Sequence, residues 1–389
     1  MKCPIEGMPS WRLWHNEKPV ALWLFLASAA FLFYFFLGYP ILLLILGKLR
    51  PKAVRKGALT LPVSVIIPVR NGEKFIEAKL RSVFQLRYPR DMLQVIVLGD
   101  GCTDRTLALA RAFAGVEVIE LPAGGKCTAL NRGIAAATGE ILFFTDVRQE
   151  LEKDCLANLV SNFADPSIGV ASGELVLLQG DRHEHQRLGL YTRYEEWLRK
   201  QISKVGSVAG ATGAVYTLRR SLAVKLPEDI LLDDVYQPLG AYFQGYRVIL
   251  DGSAIAYDIP VRLEAEFRRK VRTLAGLYQI CYHYPRLFDP REDIWLHFLS
   301  HKFSRLLLPH AFLCCAVTSF WLPEPWRTAV IAAQAAFYGA ALLDPLVPEQ
   351  FPLKKLTSLC RTFGAMLAAS LMAARILFVP ARSLWKERA

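Results

Sequence analysis

The stretch VSVIIPVRNGE, residues 63–73, places a short β-branched run directly before a group of polar residues. Such a run is typical of a strand that is buried on both faces of a sheet. Similar runs follow, with helical stretches between them. Further strands are predicted at 94–98, 116–119 and 140–146, and helices at 73–85, 106–114 and 126–137. Strands that alternate with helices predict an α/β domain with a Rossmann-like, mainly parallel sheet.

Polar side chains stand where the predicted strands end. Arg70 and Asn71 follow the first strand, Asp100 and Asp104 the second, and Asp146 the fourth. Ligands of such sheets bind at the carboxyl ends of the strands, and a carboxylate there can accept hydrogen bonds from a base or ribose. The alternative for Asp100 and Asp104 is that they cap the helix that follows.

The segment Gly124-Gly125-Lys126 begins the predicted helix at 126–137. Backbone N–H groups and an ammonium at a helix start suit an anionic diphosphate. The order of these features along one α/β unit predicts a nucleotide-diphosphate site.

The ends of the chain have a different composition from its middle. Hydrophobic residues make up 53% of the 389 residues, charged residues only 21%, and mean hydropathy is +0.25. Residues 20–46 carry no charge and exceed the ~20 residues that a bilayer core requires. We therefore predict a transmembrane anchor at 20–47. Three weaker apolar segments, 306–322, 329–347 and 363–380, are either spanning or interfacial helices.

Basic residues follow the anchor closely. They are Lys48, Arg50, Lys52, Arg55 and Lys56. The positive-inside bias predicts that the domain after the anchor lies in the cytoplasm. Together with the apolar segments it predicts a multi-pass protein of the cell (inner) membrane, with the lipid bilayer as a partner. The net charge of +12 comes without the interleaved basic and aromatic residues of a nucleic-acid face, so no nucleic-acid partner is predicted. The eight cysteines form no CxxC pair, which favours reduced thiols.

Four segments in succession carry a family resemblance: VSVIIPVRNGE, VIVLGDGCTDRT, GGKCTALNRGIAAATGEILFFTD and ILLDD. The succession resembles the family 2 glycosyltransferases of the GT-A fold. It is most similar to their membrane-bound processive branch, which includes hyaluronan, chitin, poly-N-acetylglucosamine and cellulose synthases. The resemblance covers about residues 61–282. It implies a GT-A domain at 60–260. An N-terminal segment at 1–19 and the anchor precede this domain, and amphipathic interface helices at 261–300 and C-terminal membrane helices at 301–380 follow it.

The resemblance also implies roles for individual residues. Asp234, the second acid of the family's E-D pair, would be the general base, and Asp146 would hold a divalent Mg²⁺ or Mn²⁺ ion. A hydroxyl that attacks a sugar does need a carboxylate to take its proton. Helix N-capping is the structural alternative for Asp233-Asp234, and a cationic interface helix is the alternative for Arg269 and Arg272. Donor binding is implied for Pro68, Arg70, Asn71, Glu73, Asp100, Lys126, Asp146, Arg269 and Arg272, and acceptor binding for Gly210, Thr212, Gly213 and Asp233.

Two positions depart from the family pattern. The D-x-D motif reads Asp146-Val147-Arg148, so an arginine stands where a second metal ligand is expected. That arginine can neutralise phosphate directly. The Q-x-x-R-W motif ends in Thr273, which removes an aromatic platform for an acceptor sugar.

The sequence thus predicts an inverting enzyme that moves a hexosyl or N-acetylhexosaminyl group from a nucleotide sugar to a polysaccharide or glycan, with a UDP-sugar as the expected donor. Two alternatives stay open. One is single addition to a lipid acceptor, and the other is a non-catalytic membrane protein that binds nucleotide sugars.

Overall fold

The structure is a computed structural model, and it describes residues 10–179, 184–185, 190–259, 263–348 and 350–381. Residues 1–9 of the predicted N-terminal segment and residues 261–262 of the predicted interface region lie outside the described residues.

The described strands form one mixed sheet in the order β3-β2-β1-β4-β8-β6-β9-β5, with β7 paired to β6. Their bounds are β1 Val63–Val69, β2 Leu93–Asp100, β3 Val116–Leu121, β4 Ile141–Phe144, β5 Glu150–Leu151, β6 Ile168–Gln179, β7 Glu184–His185, β8 Tyr216–Arg219 and β9 Arg247–Asp258.

The half of the sheet that the sequence predicted is parallel. Val63 of β1 lies opposite Leu93 of β2 and Ile141 of β4, and β3 runs parallel to β2. Beyond β4 the direction changes, because β8 pairs antiparallel with both β4 and β6. Strand β9 is again parallel to β6. The carboxyl ends of β1, β2 and β4 therefore meet at one edge, as expected for a ligand site.

Helices cover both faces of the sheet and extend beyond it. Their bounds are α1 Ser10–Phe33, α2 Tyr39–Leu49, α3 Ile76–Phe84, α4 Thr106–Arg111, α5 Lys126–Ala136, α6 Cys155–Ser161, α7 Leu190–Val205, α8 Asp233–Tyr242, α9 Leu263–His283, α10 Trp295–His297, α11 Ser304–Thr318, α12 Trp326–Leu343 and α13 Lys354–Ala373. Short π-helical segments, Tyr34–Gly38 and Phe298–Phe303, join α1 to α2 and α10 to α11.

The core has two parts, one on each face of the sheet. Successive side chains of a strand point to opposite faces, so Ile66 packs with Leu98 and Leu130 in one cluster. Its neighbour Val65 packs with Leu80 of α3 in the other. This arrangement explains why β1 is hydrophobic at nearly every position.

Four helical stretches of the described residues are long and apolar enough to cross a membrane: Pro19–Leu49, Trp295–Trp321, Trp326–Leu346 and Lys354–Leu377. Helix α1 packs against α11, and α12 and α9 both pack against α13. Large hydrophobic side chains such as Trp23 (70% exposed) and Leu342 (79% exposed) point outward from this group. Apolar surface of this kind marks a face for lipid or for another protein.

Candidate active site

A cluster of one ammonium and three carboxyl groups lies at the carboxyl end of the parallel strands. Lys126, the first residue of α5, places Nζ 3.1 Å from Asp146 Oδ1 and 3.1 Å from Asp233 Oδ2. Asp146 follows β4, and Asp233 and Asp234 begin α8. Three segments that are distant in the sequence therefore meet at one point.

Burial and charge act differently on the members of this cluster. Burial alone would lower the pKa of Lys126, but the charges on Asp146, Asp233 and Asp234 outweigh it and raise that pKa. Burial and the neighbouring Asp233 raise the pKa of Asp234 to about 6, against the opposing charge of Lys126. Lys126 thus stays cationic, while Asp234 titrates close to the pH at which a general base is useful.

The segment that includes Gly210, Thr212 and Gly213 packs against Asp234. Ala211 N donates a hydrogen bond to Asp234 O at 2.7 Å. A Cβ at Gly213 would lie 3.0 Å from Asp234 Oδ2, so a larger residue would crowd the carboxylate. Thr212 N donates to Ser172 Oγ at 2.8 Å, which anchors the segment to β6. Gly213 therefore leaves space for the Asp234 carboxylate.

Helix capping does not explain the two acids. The N-cap of α8 is Leu232, and it makes no side-chain capping bond. Asp233 and Asp234 lie in the first helical turn, and Asp233 pairs with Lys126 instead.

Asp100 organises the glycine turn that precedes α5. Its Oδ1 accepts hydrogen bonds from Gly124 N at 2.7 Å and Gly125 N at 2.9 Å. These two N–H groups are therefore used within the protein, and the prediction that they would serve a diphosphate is wrong for this structure. Gly125 has φ +91°, a conformation that favours glycine.

Asp104 behaves differently from Asp100. Its Oδ1 accepts from Thr106 N at 3.0 Å at the start of α4, and its Oδ2 accepts from Glu73 N at 3.1 Å. The N-cap of α4 is Arg105, but the side chain of the preceding Asp104 is used within the protein at this helix start, as the capping alternative expected.

Most of the predicted site residues line one continuous cavity of about 1860 Å³. Asn71, Glu73 and Gly210 are not among the described residues that line it. Asn71 Oδ1 accepts from Thr103 N at 2.8 Å, and Glu73 Oε2 accepts from Arg105 N at 3.1 Å, so both brace the turn after β2. The predicted site residues that line the cavity are Pro68, Arg70, Asp100, Lys126, Asp146, Thr212, Gly213, Asp233, Asp234, Arg269 and Arg272.

Residues 64–223 match the model of the glycosyl transferase family 2. The chain carries a family 2 glycosyltransferase domain. The glycosyltransferase domain accordingly spans β1 to β8 and holds Asp100, Lys126 and Asp146, whereas Asp233 and Asp234 follow it directly.

Curated relatives are distant. The probable glycosyltransferase YdaM of Bacillus subtilis is 28% identical over 232 residues, 55% of this chain and 54% of the relative. Poly-beta-1,6-N-acetyl-D-glucosamine synthase of Staphylococcus aureus is 22% identical over 56% of this chain and 55% of its own length. The chain thus spans about half the length of these two relatives. Beta-monoglucosyldiacylglycerol synthase of Synechocystis is 23% identical over 86% of this chain and 77% of its own length.

Among solved structures, the mannosyltransferase PcManGT from Pyrobaculum calidifontis, in complex with GDP-Man and Mn²⁺, is similar over almost the whole chain. The TM-score is 0.72 at 23% identity, and the match covers 95% of this chain and 99% of PcManGT. At this identity the likeness concerns the fold, and it supports the GT-A arrangement of the glycosyltransferase domain.

The residues of the glycosyltransferase domain do not fit the predicted metal. Asp146 is paired with Lys126, and Arg148 Nη2 lies 2.6 Å from Asp258 Oδ2. No group of three or more His, Cys, Asp or Glu side chains able to hold an ion occurs in the part of the chain that the structure describes. The positive charge at this edge of the sheet comes instead from the ammonium of Lys126 and the guanidinium of Arg148.

Sequence reasoning missed several residues of the site. Lys79 of α3 is fully buried, and its Nζ donates to Thr145 Oγ1 at 2.5 Å and to Gln149 O at 2.7 Å, on both sides of Asp146. Burial lowers the pKa of Lys79 to about 7. Asp258 ends β9, so the strand-end rule that selected Asp146 could also have selected it. Arg199 of α7 also lines the cavity, and no sequence pattern pointed to it.

Proposed function

We propose that this protein is a membrane-bound inverting glycosyltransferase that moves a sugar from a nucleotide-sugar donor, expected to be a UDP-sugar, to an acceptor hydroxyl. The observation that carries the proposal is the position of Lys126. Its ammonium lies between Asp146 and Asp233, beside Asp234, at the ligand-binding edge of a family 2 glycosyltransferase domain. A cation for a leaving diphosphate and a base for an attacking hydroxyl are thus held together.

In the proposed reaction Asp234 takes the proton of the acceptor hydroxyl. The acceptor oxygen forms a bond to the anomeric carbon, on the face opposite the diphosphate. The bond from that carbon to the diphosphate oxygen breaks, and its electron pair stays on the nucleoside diphosphate. Lys126, with Arg269 and Arg272 on α9, stabilises the negative charge that develops there. No step is assigned to a metal ion.

The other assigned residues fit the same arrangement. Pro68, Arg70 and Asp100 lie at the ends of β1 and β2, where we place the base and ribose of the donor. Asn71 and Glu73 support this end through the turn at 102–105. We assign Thr212, Gly213 and Asp233 to the acceptor side of Asp234.

The membrane arrangement is part of the proposal. In it, the chain has an anchor at 20–47, a catalytic domain at 60–260, an interface region at 261–300 and membrane helices at 301–380. The catalytic domain lies on the cytoplasmic side of the cell membrane. Four apolar helical stretches of sufficient length support this arrangement. The basic residues after the anchor support the orientation.

The acceptor defines two versions of the proposal. In one version the acceptor is a growing glycan, as the name of the related poly-beta-1,6-N-acetyl-D-glucosamine synthase suggests. In the other it is a lipid, as the name of the related beta-monoglucosyldiacylglycerol synthase suggests. Thr273 lines the cavity at the position where the processive branch has tryptophan, and its hydroxyl bonds back to Arg269 O at 2.9 Å. This residue offers no ring for a sugar to stack on, which supports single addition.

Nucleotide release by the purified protein in nanodiscs tests the proposal. We would supply UDP-, GDP- and dTDP-sugars, with and without Mn²⁺, beside the variant Asp234→Asn. The expected result is release from one donor that is lost in the variant, while the variant still binds that donor because only the proton acceptor is removed. Donor binding without release, in the presence of acceptor lipids and glycans, would contradict catalysis and favour a nucleotide-sugar-binding protein.

A further inference from the structure

The cavity at the active site is larger than a nucleotide sugar requires. Its volume of about 1860 Å³ exceeds the roughly 300–1,000 Å³ of a typical small-molecule pocket. From Asp234 it continues past α9 into the space between the apolar helices. One end is therefore polar and the other is formed by the proposed membrane helices.

The far half of the cavity is lined mainly by apolar side chains, with Cys360 and Ser370 of α13 among them. Phe36, Phe312 and Phe337 surround Phe363, with ring centroids 5.5, 5.3 and 6.0 Å from its ring. Aliphatic residues of α11 and α13 line the rest of this half: Leu308, Leu356, Leu359, Met366 and Leu367. A glycan in this half would lose its hydrogen bonds to water without replacement, at a high energetic cost. An aliphatic chain has no such groups to satisfy.

The cavity also contains a polar group near Asp234, formed by Arg199 and Thr212, which we call the polar junction. Arg199 of α7 lines the cavity, and its Nη1 donates to Thr212 Oγ1 at 3.1 Å. Its Nη2 is buried and finds no hydrogen-bond acceptor among the described residues. Buried donors of this kind are normally paired. The unused N–H group, close to Thr212 and hence to Asp234, is suited to an oxygen of a head group.

We propose that the acceptor is a membrane lipid with a free hydroxyl, whose hydrocarbon part occupies the apolar half of the cavity and whose head group lies between Arg199 and Asp234. This inference rests on the proposed function and selects one of its two acceptor classes. It also explains why catalytic residues and apolar helices enclose one continuous space.

Two leucines one helical turn apart on α13 provide a matched test. Leu367 lines the cavity, whereas Leu371 does not and is 49% exposed on the outer apolar face. Tryptophan at position 367 fills space that the lipid chain would use, and tryptophan at position 371 adds the same side chain outside it. Leu367→Trp should lower transfer to lipid roughly tenfold or more, the effect of overpacking an occupied site. Leu371→Trp should leave it unchanged.

The transfer experiment uses the full chain in nanodiscs of dioleoylphosphatidylglycerol that contain dioleoylglycerol, with a radiolabelled donor sugar. After extraction with organic solvent, the labelled product of the native protein and of Leu371→Trp should be found in the organic phase. Donor turnover that yields only a water-soluble labelled polymer or free sugar would overturn the lipid inference and leave the proposed function standing. Absence of any turnover would count against the proposed function itself.

A binding measurement avoids dependence on turnover. Dioleoylglycerol with a photoreactive group at the end of one acyl chain should crosslink to α13 in the native protein and in Leu371→Trp. Excess dioleoylglycerol should suppress this labelling, and Leu367→Trp should reduce it. Equal labelling of both variants, with no effect of competitor, would show that the chain does not enter the cavity.

Discussion

At the scale of single residues, the site depends on how one lysine and three acids share their charges. Asp146 and Asp233 are both paired with Lys126, while Asp234 has its pKa raised to about 6 by burial and by Asp233. The sequence shows two adjacent acids that look alike. The structure distinguishes them, because Asp233 forms an ion pair with Lys126 whereas Asp234 has a raised pKa, which supports the proposed role of Asp234 as the base.

The titration of Asp234 predicts a pH dependence. Only the ionised carboxylate can accept the hydroxyl proton, so turnover should rise as pH rises through about 6 and should level off above it. The measurement is kcat/KM against pH in nanodiscs, with donor binding followed in parallel. A flat profile between pH 5 and 8, at constant folding, would show that Asp234 is not the base.

Arg148 predicts a change in metal response. Arg148→Asp removes the ion-pair partner of Asp258, which keeps its hydrogen bond from Gln149, and restores a second acid two residues after Asp146. Turnover should therefore become more dependent on added Mn²⁺. Arg148→Leu is the control, since it removes the same cation without adding a ligand. The Mn²⁺ concentration for half-maximal turnover distinguishes them, and equal values in the two variants would contradict a ligand role for position 148.

At the scale of elements, one largely buried ionic group, Glu195 with Arg305 and His301, joins the glycosyltransferase domain to the apolar helices. Glu195 of α7 accepts a hydrogen bond from Arg305 of α11, and its Oε2 lies 3.2 Å from His301 Nε2. Burial opposes the ionisation of Glu195, but the charge of Arg305 and the hydrogen bonds from Arg305 and His301 outweigh it and hold its pKa well below the usual range. Because α7 also carries Arg199, this contact sets the position of the polar junction.

Removal of that charge should destabilise the protein. Glu195→Gln removes the carboxylate that contacts Arg305 and His301, and breaking a largely desolvated pair costs up to about 3–5 kcal/mol. The thermal unfolding midpoint in nanodiscs should fall clearly. Glu77→Gln is the matched control, since Glu77 and its partner Arg81 are 47% and 68% exposed and such pairs contribute at most about 1 kcal/mol. Equal midpoints for both variants would refute the role of the buried group.

The same contact has a pH dependence of stability. Since the pKa of Glu195 is lower in the folded state than in the unfolded chain, its contribution is present above the unfolded pKa. It is lost as pH falls through the folded pKa.

At the scale of the whole molecule, the parallel half of the sheet could be predicted and the rest could not. Strands β1 to β4 show hydrophobic runs with helices between them, and the structure has them within a few residues of the predicted bounds. The insertion of β8 between β4 and β6 depends on pairing between distant segments. No local pattern specifies such pairing, because strand neighbours are chosen by the packing of the complete sheet.

The sequence by itself determined the α/β class of the domain, the apolar segments at both ends and the identity of the charged residues, because composition and hydrophobic period are local properties. Only the tertiary structure decided which of these residues and segments meet in space. It placed Lys126 between Asp146 and Asp233, committed two glycine N–H groups to Asp100, and joined the polar site to an apolar cavity. Distances, hydrogen-bond partners and cavities arise when segments remote in the sequence pack together, so they are properties of the folded chain alone.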